Sequence, residues 1–404
     1  MKKILIFSLS YYPRFVGGAE VAIKEKTDRI RDIEFHMVTL RYDSVLPSIS
    51  REGNVLVHRI GFSAKSPAIG DLQKFPMRLN KFLFQFLAAF KAISLHRKER
   101  YDATWAMMAH SCGVPAALFK LFYPRVPFVL ELQEGDPPEY VERLMRPLWP
   151  LFSRAFTTAN VVSVISTFLG NWARRRGFTG PVELVPNAVN TRHFSQEYPT
   201  HELDELKKKL GKRDSDIYLI TTSRLVHKNA IDDCIRALPQ MPDAVRFLIL
   251  GTGPDETMLK KIAADLHVAE RVIWLGQIDH KEMPKYLKAS NIFIRPSRSE
   301  GMGISFVEAF AAGLPVIATQ EGGIADFLFD AKRNPGQAPT GWAVDKDSPE
   351  QIAAAVKDIL GNPDQVRRVI ENARALALKK YDWDLIARNM RQKVFEPLLM
   401  KRQS

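Results

Sequence analysis

Cysteine is scarce: Cys112 and Cys234 are the two in 404 residues, far apart in sequence and with no nearby Cys or metal-type spacing. A disulfide framework and a zinc site are therefore not expected. Long apolar runs are missing too, since no stretch of about 18 uncharged apolar residues occurs, so no membrane-spanning helix is expected. The start MKKILIFSLSYYP lacks a small-residue cleavage site, and a cytosolic protein is expected. Acidic charge is the third shortage: 45 Asp+Glu against 58 Lys+Arg leave a net +13. That balance suits an anionic partner, whether nucleic acid, membrane surface or phosphorylated substrate. No zinc finger, aromatic ribonucleoprotein motif or basic heptad region accompanies the charge, which argues against nucleic acid.

What is present is a long alternation of short apolar runs and helical patterns, with 46% hydrophobic residues to build cores. Strands are expected at Lys3 to Leu9, Phe35 to Leu40, Val55 to Ile60, Ala103 to Ala109, Pro127 to Leu132, Val161 to Ile165 and Val182 to Pro186, with helices between them. The sequence then turns polar and charged (HFSQEYPTHELDELKKKLGKRD). A second βα series follows at Tyr218 to Thr222, Arg246 to Leu250, Val272 to Leu275 and Ile292 to Ile294. This predicts an α/β protein of two Rossmann-like domains facing each other across a cleft: residues 1–192, a linker at 193–214, residues 215–382, and a C-terminal helix, 383–404, packing back on the first domain.

Candidate site residues fall where strands end. FIRPSRSEGMGISFVEAFAAGLPVIAT (293–319) reads as strand, glycine-bearing turn, helix, strand. Gly301 and Gly303 let backbone approach a ligand, and the next helix offers unpaired N–H groups and the positive end of its dipole, an anion site. Glu300 and Glu308 bracket the turn as hydroxyl-reading carboxylates; an ordinary βα crossover with a solvated glutamate would look the same locally. In TTSRLVHKN, Arg224 and Lys228 stand four apart across a strand-to-helix turn, where a fork and a point charge can meet one diphosphate. Gly251 and Gly253 end another strand, so three chemically coherent clusters share one rim of one domain. In the first domain, Gly17 and Gly18 lie in the first βα turn. His110 and the acidic turn Glu134, Gly135, Asp136 end later strands, where a capping or core histidine and a helix start are the plain alternatives. Asp-x-Asp occurs at 214/216, 345/347 and 382/384, in the linker or ahead of helices, so no metal is expected.

Residues 74–100 carry Leu79, Phe82, Leu83, Phe86, Leu87, Phe90 and Ile93 at helical spacing, rimmed by Lys74, Arg78, Lys81, Lys91, Arg97, Lys98 and Arg100. A helix packed on a sheet shows such a stripe. A helix lying on an anionic bilayer shows it with such a rim.

At SEGMGISFVEAFAAGLPVIAT and the following EGGIADFL, the chain resembles the GT-B-fold retaining glycosyltransferases of family 4, and Glu300 and Glu308 match the family's E-x7-E spacing. SRLVHKN, GTGP, VPNAVNTRHF and GGAE are similar to further family motifs, so the resemblance spans nearly the whole chain. It implies a metal-independent sugar transfer, with retention, from a UDP- or GDP-sugar to a polysaccharide- or lipid-linked acceptor, with no cofactor. Arg224 and Lys228 would grip the diphosphate, Glu300 the donor sugar and Glu308 the ribose, with Gly301, Met302, Gly303, Ile304 and Ser305 forming the phosphate turn and Gly251 and Gly253 the turn near the nucleotide. Gly17 and Gly18 would form the first-domain glycine loop; His110 and Asp136, from their strand-end positions, are further catalytic candidates beside Glu300, Arg224 and Lys228. The chain departs from the family at Gln133, where many members carry histidine, and at Ala188 and Asn190. A nucleotide-sugar epimerase on the same architecture and a non-catalytic nucleic-acid or anionic-surface binder are the alternatives; a cytoplasmic location with peripheral membrane contact through 74–100 is expected.

Overall fold

The computed structural model describes residues 1–400. It divides into two units: Met1–Asn187 with the segment beginning at Trp383, and Ala188–Asp382.

The first unit holds an eight-stranded sheet of β1 (Lys2–Phe7), β2 (Ile33–Leu40), β3 (Ile49–Glu52), β4 (Val55–Ile60), β5 (Ala103–Met107), β6 (Phe128–Leu132), β7 (Val161–Val164) and β8 (Val182–Leu184). The order is β3-β4-β2-β1-β5-β6-β7-β8, parallel except at β3 against β4. Ile4 to Phe7 and Ala103 to Met107 are buried throughout, as in strands covered on both faces. The chain from Trp383 completes this core: the Phe395 ring lies 5.4 Å from Trp105 and 6.0 Å from Phe35. Arg391 pairs with Asp32 at 2.8 Å and Arg29 with Asp384 at 2.6 Å. Of the helix expected over 383–404, residues 401–404 lie outside the described residues.

A charged pair sits inside this unit. Lys26 of the Gly18–Arg29 helix donates to Glu131 of β6 at 2.6 Å, and neither side chain is exposed. Glu131 also accepts from Trp105 Nε1 at 2.9 Å and Gln133 Nε2 at 2.6 Å. With its oxygens bonded the pair is tolerable, but loss of one partner would strand a charge at about 3–5 kcal/mol.

The second unit holds six parallel strands, β9 (Ile217–Thr222), β10 (Val245–Leu250), β11 (Val272–Gly276), β12 (Ile292–Arg295), β13 (Val316–Ala318) and β14 (Trp342–Ala343), in the order β11-β10-β9-β12-β13-β14. The chain winds outward from β9, returns to β12 and winds out the other way. Both units are thus Rossmann-like, with reversals at β1/β5 and β9/β12.

Three expectations need correction. Residues 193–214 are not a structureless linker: they overlap helix Thr191–Ser195 and include helix Thr200–Lys209, and both belong to the second unit. Phe194 and Leu206 are buried, while Glu202 and Glu197 pair with Lys285 and Lys288 at 2.6 and 2.9 Å, so the charged residues dock a helix. The helix expected between the strands Pro127 to Leu132 and Val161 to Ile165 is two, Pro138–Leu144 and Trp149–Thr157, separated by a tight turn at Arg146–Leu148. The 74–100 stripe, moreover, is only partly core-facing on its helix, which runs Asn80–Glu99: Ile93 is buried and Leu83 and Phe86 are half-buried, but Leu79, Phe82, Leu87 and Phe90 are exposed. Phe84, Ala88, Ala89 and Ala92 face inward, and the three alanines allow close approach. Phe82 and Phe90 are 56% and 64% exposed, and Phe75, ahead of the helix, is 73% exposed. Phe82 and Phe86, one turn apart, touch edge to face at 5.7 Å, forming an outward aromatic ridge.

His58 in β4 is buried with both ring nitrogens lacking partners among the described residues, 5.7 Å from the His36 ring. Burial, with His36 nearby, pushes it down to about 4. Its folded value lies below the unfolded one, so this group's contribution is intact above about pH 6.5 and is lost as pH falls through 4. We expect the wild type to lose about 2 kcal/mol more stability than His58→Leu between pH 7 and pH 5, measured by urea denaturation.

Candidate functional site

The reversal at β9/β12 sets the loop 223–230, after β9, beside the loop 296–303, after β12. These loops carry Arg224, Lys228, Glu300, Gly301, Met302 and Gly303. Arg224 is exposed and Lys228 half-buried in the turn His227–Asn229. Backbone bonds join the loops, since Arg298 N donates to Lys228 O at 2.7 Å. The Arg298 side chain then bonds His227 O at 2.8 Å and pairs with Asp232, Asp233 and Asp347 at 2.8, 2.9 and 2.6 Å. These carboxylates hold its guanidinium charged despite the opposing effect of burial. Burial, together with Asp232, pushes Asp233 up to about 6.

The glycine-bearing turn after β12 depends on close backbone packing. Gly303, at φ +87°, precedes the Ile304–Ala312 helix, and a Cβ there would lie 2.5 Å from the Phe306 ring and 3.1 Å from Arg295 Nη2. Gly322 brings its backbone against Glu300 O, which accepts from Gly323 N at 3.0 Å. Gly251 and Gly253 serve similarly: a Cβ on either would fall 1.8 or 2.1 Å from Ser223 O or Leu225 O. They let the turn after β10 close against the backbone that carries Arg224. Met302 is buried, and Ile304 and Ser305 open the helix, with Ser305 Oγ buried and unpartnered among the described residues.

Each glutamate is oriented by a base. Arg295, at the end of β12, is buried, stacks 4.3 Å from the Phe306 centroid and donates to Glu300 Oε2 at 2.8 Å. Burial depresses its guanidinium, while Glu300 and the ring face compensate. Glu308 is buried, and its Oε1 lies 3.0 Å from His280 Nε2. Sequence reasoning missed Arg295, Arg298 and His280. The first had a signal, a cation ending the apolar run IFI; the others reach their partners only in the fold.

In the first unit the loops after β5 and β6 carry His110 and Asp136. Glu134, buried, accepts from Ala109 N at 2.5 Å and lies 3.4 Å from His110 Nδ1, while its other oxygen accepts from Gln133 N at 3.0 Å. Glu134 therefore ties the two loops. Gln133 exchanges amide bonds with Asn187 at 2.9 and 3.2 Å, a buried structural role. Asp136 is half-buried. Gly17 is the exposed N-cap of the Gly18–Arg29 helix, where Glu20 accepts its N–H at 2.8 Å.

Among the described residues no group of three or more His, Cys, Asp or Glu is arranged to hold a metal, and no helix is long and apolar enough to cross a membrane. The Asp-x-Asp residues are engaged elsewhere: Asp216 with Arg213, Asp345 with Arg333, Asp347 with Arg298, Asp382 with Thr191 and Asp384 with Arg29.

This architecture is the GT-B fold of glycosyltransferases. Sucrose-phosphate synthase from Thermosynechococcus elongatus superimposes with a TM-score of 0.79 at 19% identity, over 99% of this chain and 100% of that one. HepE from Anabaena, in complex with UDP-glucose, gives 0.76 at 20% identity, over 98% and 100%. The family model for glycosyl transferases group 1 matches residues 203–376, and that for the glycosyl transferase 4-like domain matches 17–188. The chain belongs to the GT-B glycosyltransferases of family 4. A GDP-mannose-dependent alpha-(1-6)-phosphatidylinositol monomannoside mannosyltransferase from Mycolicibacterium smegmatis is 30% identical over 237 residues, 56% of this chain. The match spans 59% of that relative's length, and the chain likewise spans 59–60% of the next two curated relatives.

Gly303→Ala is expected to destabilise the second unit by about 1–3 kcal/mol, as strain at a special backbone position does. Gly336, at φ +90° with open space around it, is the control. Gly336→Ala should lower the urea midpoint less, and the difference measures the crowding against Phe306.

Proposed function

We propose that the protein transfers a sugar from a nucleoside-diphosphate sugar to a lipid-linked or polysaccharide acceptor, with retention and without a metal. The observation that carries this reading is the convergence of two loops, one with Arg224 and Lys228 and one running from Glu300 to Ser305, at the winding reversal of the second unit. That is where open parallel sheets bind ligands. Arg224 and Lys228 take the diphosphate charge, and the Ile304–Ala312 helix N-terminus supplies directional N–H groups. Glu300, held by Arg295, faces the donor sugar; Glu308 faces the ribose; His110 and Asp136 serve the acceptor side; Gly17 and Gly18 form the first unit's close-approach loop. In the transfer the bond from the anomeric carbon to phosphate oxygen breaks, a bond to the acceptor oxygen forms on the same face, and the acceptor proton passes to the leaving diphosphate. The GDP-mannose dependence of the mycobacterial relative and the UDP-glucose bound to the Anabaena protein support a nucleotide-sugar donor.

The decisive experiment is a panel of UDP-, GDP- and ADP-sugars with cell-envelope lipid extract. Absence of both binding and turnover across the whole panel would overturn the reading, and turnover without acceptor would instead indicate an epimerase. With the active donor, Glu300→Gln is expected to lower kcat by about 10²-fold, and Glu308→Gln to raise the donor Kd about tenfold. The reverse pattern exchanges the two roles.

The acceptor is proposed to be reached at a membrane surface on the cytoplasmic face. The exposed ridge of Phe75, Phe82 and Phe90, rimmed by Lys74, Lys81, Lys91, Arg97 and Lys98, supports this because aromatic burial and attraction to anionic headgroups add, at about 1 kcal/mol per basic residue. Lys81, Lys91 and Lys98 changed together to Glu should abolish sedimentation with phosphatidylglycerol vesicles, and Phe82→Ser with Phe90→Ser should weaken it in high salt as well. Unchanged sedimentation of both variants rejects the surface.

A further inference from the structure

Glu308 is a buried carboxylate, 7% exposed, on a helix whose residues from Phe306 to Ala312 are all buried. A carboxylate so placed needs donors to stay charged and a fixed rotamer to read a hydroxyl. The donor comes from outside its helix. His280, in the segment between β11 and the Met283–Lys288 helix, brings Nε2 to 3.0 Å from Glu308 Oε1. A carboxylate accepts only, so Nε2 carries the proton.

His280 is itself held. Its ring stacks on His193 with centroids 6.0 Å apart at 30° and meets the edge of Phe194 at 5.2 Å. His193 Nε2 donates to His280 O at 3.2 Å, since a carbonyl can only accept, and Gln196 Nε2 lies 3.3 Å from His193 Nδ1, which accepts. Just before His280, Asp279 Oδ1 accepts from Lys281 N at 2.9 Å and Asp279 O accepts from Glu282 N at 2.9 Å, closing the turn that carries the imidazole. The series Gln196, His193, His280, Glu308 runs from the start of the second unit to the carboxylate, all within that unit.

We propose that His280 is a positioning residue for nucleotide recognition: by donating to Glu308 Oε1 it fixes the carboxylate so that it can receive ribose hydroxyls, and it acts on donor affinity through Glu308. This rests on the assignment of Glu308 to the ribose made above. The same logic governs histidine and carboxylate pairs in which an outer partner sets the orientation of the group that touches the ligand.

The test is a double-mutant cycle on full-length protein, reading the Kd of UDP and GDP by isothermal titration calorimetry and kcat at saturating donor with the sugar nucleotide found active in the panel. His280→Ala is expected to raise the nucleotide Kd about tenfold, the scale of one hydrogen bond to a charged group, while kcat changes less than about twofold. In His280→Ala with Glu308→Gln, the Kd should match that of Glu308→Gln alone. His280→Gln, whose amide can donate from nearly the same point, should restore affinity. A wild-type Kd in His280→Ala, additive losses in the double variant, or failure of His280→Gln to recover would each overturn the inference. Thermal unfolding of each variant separates lost positioning from lost folding: a fall in Tm shared by His280→Ala and His280→Gln, with weak binding in both, counts against positioning. If the wild type binds neither UDP nor GDP, the ribose assignment falls with it; if the wild type binds and His280→Ala equals it, only the positioning role falls.

Discussion

The reversal of winding between β9 and β12 is the constraint on which the second unit depends. Six parallel strands laid in one direction would give one continuous rim, but a chain that winds outward from the middle twice must leave two adjacent strands whose following loops diverge. The gap so made is lined by backbone from both loops. Arg298 keeps that gap at one width by bonding the backbone of the β9 loop and pairing with three carboxylates on two other segments. Gly251, Gly253 and Gly322 then permit approaches between loops that any side chain would forbid. The polar residues at the gap are thus positioned by main chain that cannot shift independently.

Arginine does different work at neighbouring positions here. Arg298 is surrounded by acids and stays charged at little cost, whereas Arg295 is buried with one carboxylate and one aromatic face for company. The second arrangement is the more dependent on its partner, which links the geometry of Glu300 to the packing of Phe306 beneath it. In the first unit the corresponding polar chain is buried rather than open: Lys26, Glu131, Gln133 and Asn187 form one connected series, with Gln133 fully used inside it.

Much of this was legible before folding was known. The βα alternation, the two Rossmann-like series, and the Arg224/Lys228 and Glu300/Glu308 clusters are all local patterns, since each motif occupies fewer than ten consecutive residues and its position at a strand end follows from hydrophobic runs. What escaped was non-local. Arg298 meets Asp232 and Asp347, and His280 meets Glu308 after 28 intervening steps of chain, separations that no window detects. The 74–100 stripe was read for its period and not for the size of its residues; the alanines at 88, 89 and 92 decide which face goes inward. Residues 193–214 looked like a linker because charge outweighs Leu203, Leu206 and Leu210, though those three recur at helical spacing.

The segment from Trp383 has an implication for how the molecule is made. It supplies Trp383, Ile386, Met390, Val394 and Phe395 to the core of the first unit, and Phe395 completes the cluster with Phe35 and Trp105. The second unit, by contrast, is one uninterrupted stretch of chain. On the ribosome, therefore, the downstream unit has its entire sequence available before the upstream unit does. The upstream unit, whose sheet begins at the first strand, completes the cluster of Phe35, Trp105 and Phe395 only with the segment from Trp383, made after the whole of the downstream unit.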